Sequence, residues 1–425
     1  MLSQWMGELR GVIGSRSLLD LCLPGTHDSM TKNLSLTVAD NANSIPSRFA
    51  WVLHEFFPVV DRVVGKLLRE QAQTQTLGMR EQLDGGVRFV DFRATFTAPP
   101  DKRSRAPHDW YCLHLLQSAQ PAMSYLLELR EFLDANPTEI VALWISRHGD
   151  ACATGTDQYP NASPQAQQAF WGQIKSLFEG LLFSGLLNET SIDAMIDANE
   201  RLVVFAANYE DFTGGGDAFA TDCCVGISNT LKGGTISNFS KTVDDWGQTL
   251  RASEERRADL KSRNVLDLVS FAGSPPDQVV AADVAIYYGA GGRWATALCA
   301  ASLGIPNVTE FCPLTLLDSS RLRNYYLQPS LDLPISNPGD YALPGAIYID
   351  SVDLNGTIRT GTLDGKRVGY AYVDTVLLWN TRSSCALDYV QACDRLDAIL
   401  TARRDAIGPT SKWYDPAHGR LADWP

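Results

Sequence analysis

Eight short apolar runs recur along the 425 residues, and they constrain the fold more than any other feature. They lie at 19–23 (LDLCL), 87–93 (VRFVDFR), 111–115 (YCLHL), 139–146 (EIVALWIS), 201–207 (RLVVFAA), 223–228 (CCVGIS), 265–270 (VLDLVS) and 345–351 (GAIYIDS). Runs this short and this continuous fit strands buried on both faces of a parallel sheet. Longer amphipathic stretches fall between them, at 120–135, 165–187, 241–262 and 386–404. Strands alternating with helices predict an α/β chain, and eight such strands predict a (β/α)8 barrel of the TIM type. The connections 94–110 and 208–222 are too short and too rich in Pro and Gly for full helices. The barrel is therefore expected to be irregular.

No internal repeat, low-complexity tract or interdomain linker interrupts the chain, so residues 1–404 read as a single barrel domain with insertions. The clearest insertion is 30–82, which contains SRFAWVLHEFFPVVDRVVGKLLRE, an apolar helical pattern broken by proline. Residues 405–425 read as a C-terminal surface extension. With 36 basic against 49 acidic residues the net charge is −13, which argues against a nucleic-acid binder and against charge-driven adhesion to anionic membrane. No apolar run is long enough to span a bilayer as a helix, and the first residues lack the pattern of a secretory leader. The nine cysteines form no CxxC pair and no zinc pattern. Six N-x-S/T sequons lean weakly toward secretion, and the compartment stays open.

Chemistry concentrates where a barrel holds its reactive groups, at the C-terminal ends of the strands. His27 and Asp28 follow the first run, Asp91 and Arg93 close the second, His114 lies in the third, and Asp350 closes the eighth. Asp91 and Arg93 are two apart on one strand, so both point to one face. Two histidines suit a reaction in which one proton leaves an attacking hydroxyl and another is given to a leaving oxygen. An arginine offers a planar fork to phosphate oxygens, and a carboxylate behind each imidazole would fix its tautomer. Together these residues describe metal-free transfer of a phosphodiester to an internal hydroxyl, or hydrolysis of another phosphoester. His108, in a polar loop, is a rival to His114.

The motifs around these residues resemble a known family. LCLPGTHDSM is similar to the first signature of the X domain of phosphatidylinositol-specific phospholipases C, and QTQTLGMREQLDGGVRFVDFR to its second segment. YCLHLL, PTEIVALWISRHG and ALPGAIYIDSVDLNG resemble later strands in family order, so the likeness runs from about 18 to 355. The resemblance implies His27 as the base acting on an inositol hydroxyl and His114 as the acid protonating the diacylglycerol oxygen. It implies Asp350 as the carboxylate orienting the base and Asp28 as the one supporting the acid. Arg93 falls where calcium-dependent members have an acidic ligand and bacterial ones have arginine, which implies the metal-independent branch and no cofactor.

Head-group contacts of that branch are not recognisable here; Arg147, His148, Asn208 and Asn238 are the nearest candidates for substrate binding. The expected function is cleavage of phosphatidylinositol or a related inositol phospholipid, giving a cyclic phosphate and diacylglycerol. The alternatives are a phosphodiesterase of the same fold acting on another lipid or a soluble ester, and a barrel that binds without turnover. A glycerophosphodiesterase-like site would need a His-Arg pair and a Glu-x-Asp metal motif, which the matching positions lack. In the insertion, Trp51, Phe56 and Phe57 are candidates for transient contact with a membrane surface.

Overall fold

The computed structural model describes residues 2–38, 69, 72–101, 103–114, 116–147, 163–206, 224–229, 250–251, 253–271, 317, 331, 334, 340–352, 359–363, 366–370 and 372–382. Its strands are β1 (Leu23–Thr26), β2 (Leu34–Val38), β3 (Phe89–Thr97), β4 (Asp109–His114), β5 (Leu116–Pro121), β6 (Val141–Arg147), β7 (Leu202–Ala206), β8 (Cys224–Asn229), β9 (Val265–Ser270), β10 (Ala346–Ile349), β11 (Arg359–Leu363) and β12 (Lys366–Tyr370). The helices are α1 (Trp5–Glu8), α2 (Arg10–Ile13), α3 (Met79–Asp84), α4 (Ala122–Ala135), α5 (Pro164–Leu177), α6 (Ile192–Asp197), α7 (Ser253–Ser262) and α8 (Tyr372–Arg382).

Among the described residues, parallel strands run β1-β10-β9-β8-β7-β6-β3, and β3 pairs back onto β1. The ring is therefore closed, and the fold is an irregular α/β barrel. Its walls obey the period of two. Phe89, Ala142, Trp144, Val203 and Phe205 pack inside the ring, while Val90, Phe92, Val141, Leu143, Ile145, Leu202 and Val204 pack outward with residues of α4 and α5 such as Leu129, Phe132, Phe170 and Ile174. Since Phe89 faces inward, so do Asp91 and Arg93 further up the same strand. Gly25 lets β1 sit tightly against its neighbours: a Cβ there would lie 2.8 Å from the Ile347 carbonyl oxygen and 2.9 Å from the Phe89 ring. This is the physical content of the glycine in LPGTH.

The bottom of the ring is sealed by the N-terminal segment. Trp5, Met6, Leu9 and Ile13 of α1, α2 and the turn between them are fully buried in the barrel core. Beneath them the Arg88 guanidinium lies 2.6 Å from the Glu139 carboxylate, both fully buried. Arg88 also donates to the Leu2, Ser3, Leu83 and Val87 carbonyls, and Glu139 accepts from the Met6 and Gly7 amides. A buried ion pair survives only when its remaining donors and acceptors are met, and here they are.

Several sequence expectations need correction. The run 19–23 is not a strand: Leu18–Asp20 form a 3-10 turn, because Ser17 caps the Leu19 amide while Asp20 caps the Ser17 amide. The first strand begins at Leu23. Of the run 111–115, the described residues 111–114 lie outside the ring, since β3 overruns the rim and β4 returns antiparallel to it, with Ala94 opposite Cys112. The third strand of the expected barrel is thus part of an antiparallel flap, β3-β4-β5-β2, and β2 comes from the insertion. The helical pattern of 165–187 stops at Leu177, and within 241–262 the helix described continuously is Ser253–Ser262. The β11–β12 hairpin and α8 were not anticipated. The helix expected at 386–404 and the extension 405–425 lie outside the described residues.

Candidate active site

The ends of β1 and β10 present the central pair. The His27 amide donates to the Ile349 carbonyl at 2.9 Å, continuing the parallel ladder one step past β1. That step brings His27 Nδ1 to 2.7 Å from Asp350 Oδ1. A carboxylate accepts only, so Nδ1 carries the proton and Nε2 keeps its lone pair. Both strands then turn sharply. Asp28 has φ +43° and Ser351 has φ +52°, the left-handed region that costs a residue with a side chain about 1–3 kcal/mol. Local bonds offset that cost: the Asp28 amide donates to Asp91 Oδ2 at 3.1 Å and the Ser351 amide to the Thr74 carbonyl at 2.7 Å.

Arg93 reaches the same point from β3. Its Nη2 lies 2.7 Å from His27 Nε2, its Nε 2.6 Å from Asp28 Oδ1, and its Nη2 2.8 Å from Asp91 Oδ2. Burial opposes the guanidinium charge, but the carboxylates of Asp28 and Asp91 outweigh it and raise the Arg93 pKa, so the charge is permanent. His27, Asp28 and Asp91 each bring a ligand atom within 4.8 Å of one another, a spacing that a small cation could use. A guanidinium is already seated against both carboxylates of that cluster.

His114 arrives by the flap and not by the ring. Because Ala94 pairs with Cys112, two further residues bring the end of β4 back level with the rim. The two imidazole rings stand 6.3 Å apart, edge to face. At Nδ1 the two imidazoles differ: His27 meets the Asp350 carboxylate and His114 a backbone carbonyl. His114 Nδ1 donates to the Ala72 carbonyl at 2.6 Å, and Asp28 Oδ2 lies 3.3 Å from its Nε2 and 3.4 Å from Nε2 of His27. Asp28 therefore sits between the working nitrogens of both histidines. Burial lowers the His114 pKa, with Asp28 opposing it and Arg93 adding to it. The side chains of His27 and His114 are 16% and 18% exposed while the three carboxylates are buried, so a substrate would meet imidazole first.

His108 is exposed at the far end of the flap, with its ring 5.8 Å from Phe96, and does not join the site. Arg147 ends β6 opposite Arg93, its backbone alone being described. His148, Asn208, Asn238, Trp51, Phe56 and Phe57 lie outside the described residues. The sequence reading missed Tyr348, whose ring stacks 5.2 Å under that of His27, and the segment 72–75, which carries Thr74 and Gln75. Tyr348 could have been found from its place two residues before Asp350 on one strand. The only signal for Thr74 and Gln75 was their position in the QTQTLGMREQL segment.

The PI-PLC X family model (PI-PLC X 1) matches residues 62–214. The chain is similar to PI-PLC X domain-containing protein 1 of Mus musculus, at 29% identity over 141 residues, covering 33% of this chain and 38% of that protein. Its similarity to PI-PLC X domain-containing protein 3 of Homo sapiens is 31% over 142 residues, covering 33% and 41%. The chain spans about two fifths of the length of the curated relatives it matches. Among solved structures it is similar to a phosphatidylinositol-specific phospholipase C of S. aureus, at 13% identity, TM-score 0.44, covering 89% of this chain and 97% of that one. The corresponding enzyme of Listeria monocytogenes gives 12% identity, TM-score 0.43, and coverage of 82% and 94%. The segment 62–214 of this chain thus matches the PI-PLC X domain family.

Proposed function

We propose that the site cleaves a phosphodiester without a metal ion, by attack of a hydroxyl within the substrate on phosphorus. The preferred substrate is an inositol phospholipid, as in the phospholipases C that the chain resembles. The observation that carries the reading is His27 held by Asp350 on one nitrogen, with its other nitrogen 2.7 Å from Arg93 Nη2 and with Asp28 Oδ2 within 3.4 Å of Nε2 of both His27 and His114.

In this reading the substrate hydroxyl takes the place of Arg93 Nη2 at His27 Nε2 and gives its proton there. Its oxygen forms the new bond to phosphorus as the bond from phosphorus to the leaving oxygen breaks. Protonated His114 delivers a proton from Nε2 to that leaving oxygen, releasing an alcohol, diacylglycerol for a phospholipid. The second product is a five-membered cyclic phosphodiester. Arg93 stabilises the charge that grows on the non-bridging oxygens, as a preorganised cation in a water-poor site. Afterwards His27 is charged and His114 neutral, and proton exchange with water restores the pair.

Chelation together with substitution at Arg93 tests this. Activity is expected to persist in excess EDTA, and Arg93→Lys to be badly impaired, because a point charge does not reproduce a two-pronged fork. Loss of activity on chelation and full return with calcium would overturn the metal-free mechanism.

A further inference from the structure

Two strand ends and the flap histidine share one support, the buried segment 72–75. The Gln75 side chain donates from Nε2 to the His27 carbonyl at 2.9 Å and to the Ile349 carbonyl at 2.8 Å. Its Oε1 accepts from the Val352 amide at 3.3 Å. Thr74 receives Ser351 on its carbonyl, from the amide at 2.7 Å and from Oγ at 3.0 Å. Thr74 Oγ1 donates toward the carbonyls of His27 (3.2 Å) and Asp28 (3.1 Å). Thr31 Oγ1 holds the segment itself, accepting the Thr74 and Gln75 amides at 3.0 and 2.9 Å and giving its hydrogen to Thr74 Oγ1 at 2.7 Å. One residue earlier, the Ala72 carbonyl accepts from His114 Nδ1.

We propose that residues 72–75 act as a positioning strap, in which Thr74 and Gln75 set the register of His27 against Asp350 while the Ala72 carbonyl fixes the tautomer of His114. A purely architectural role would need only one contact per strand end. Instead the strap bonds the residues flanking each reactive side chain: His27 and Asp28 at one end, and Ile349, Ser351 and Val352 around Asp350 at the other. Both turn residues with positive φ, Asp28 and Ser351, are tied to Thr74. The strap therefore holds the two strained turns that aim the side chains. Thr74 and Gln75 touch no reacting atom and act through His27, Asp350 and His114.

Gln75→Met keeps the shape of the side chain and removes both donors. The Ile349 carbonyl still accepts from the His27 amide, and the His27 carbonyl still faces Thr74 Oγ1, so the fold has other support. Two-bond proton–nitrogen spectra at alkaline pH report which ring nitrogen of each histidine carries the proton, with no substrate present. In the unaltered protein both His27 and His114 are expected as the Nδ1–H form. In Gln75→Met, His27 is expected to populate the Nε2–H form. The kinetic part rests on the phosphodiester reading: kcat should fall about 10- to 100-fold, the scale of a small misplacement remote from the chemistry. KM should change by less than about threefold, because ground-state binding is untouched. Should Gln75→Met fail to fold, Thr74→Val and Thr74→Ser decide, with the serine variant retaining function and the valine variant losing it. Wild-type tautomers and kcat in the folded variants, or equal loss in both Thr74 variants, would overturn the proposal. Tautomers that respond in a protein cleaving no phosphodiester would uphold the strap and reject the proposed reaction.

Discussion

His27 Nδ1 lies 2.7 Å from Asp350 Oδ1, so the residues just past the first and last strands of the ring form one proton-holding unit. The parallel register makes this unavoidable, since Thr26 pairs with Ile349 and the next residue on each strand is the reactive one. Asp350→Asn keeps the size of the side chain but can present an N–H to Nδ1, forcing the proton onto Nε2 and removing the base. Turnover is expected to fall about 10²–10⁴-fold, the usual share of a general base. Steady-state rates of the purified variant check this against a thermal melt that stays near wild type.

The two histidines of the flap separate cleanly. His114→Ala should lose a similar factor, whereas His108→Ala should remain fully active, because His108 is exposed and remote from the site. A pH profile of kcat/KM adds a sign. The acid must be protonated to act, and burial lowers the His114 pKa from its ordinary 6.5. The descending limb of the free enzyme should therefore lie below pH 6.5, and it should vanish in His114→Ala.

At the other end of the ring, Glu139→Ala should destabilise the fold without touching the chemistry. It leaves the buried Arg88 guanidinium without its carboxylate, a loss of about 3–5 kcal/mol for a buried pair broken on one side. Urea unfolding measures it, and residual activity of the folded fraction should be unchanged.

What the sequence disclosed, and what it hid, follows from the range of each interaction. The run VLDLVS became β9 with the same bounds, because continuous β-branched character is a local signal. The residues His27, Asp91, Arg93 and Asp350 were legible because each stands at a strand end, where the fold class itself sets their direction. By contrast, LDLCL looked like a strand until Ser17 and Asp20 competed for the backbone with side-chain caps. His114 was found for its motif but placed on the wrong kind of strand, since antiparallel return is fixed by pairing and not by composition. Thr74 and Gln75 were invisible as supports. Their supporting bonds span 43 to 277 positions of sequence, and nothing local distinguishes a buried glutamine from a surface one.

The aromatic insertion gives a test of where substrate is met. We propose membrane contact through Trp51, Phe56 and Phe57, as a net charge of −13 offers no attraction to anionic lipid and apolar burial must supply the docking energy. Replacing all three with serine should lower activity on phospholipid vesicles while sparing a soluble short-chain ester. Equal loss on both, with a lower melting temperature, would assign these residues to packing.

Phosphorus NMR of the reaction on phosphatidylinositol, run in chelator, tests the central claim most directly. The account predicts a resonance of a five-membered cyclic phosphodiester appearing as the lipid signal decays, with neither change in His27→Ala. An acyclic phosphomonoester as the first product, or cleavage undiminished in His27→Ala, would contradict it.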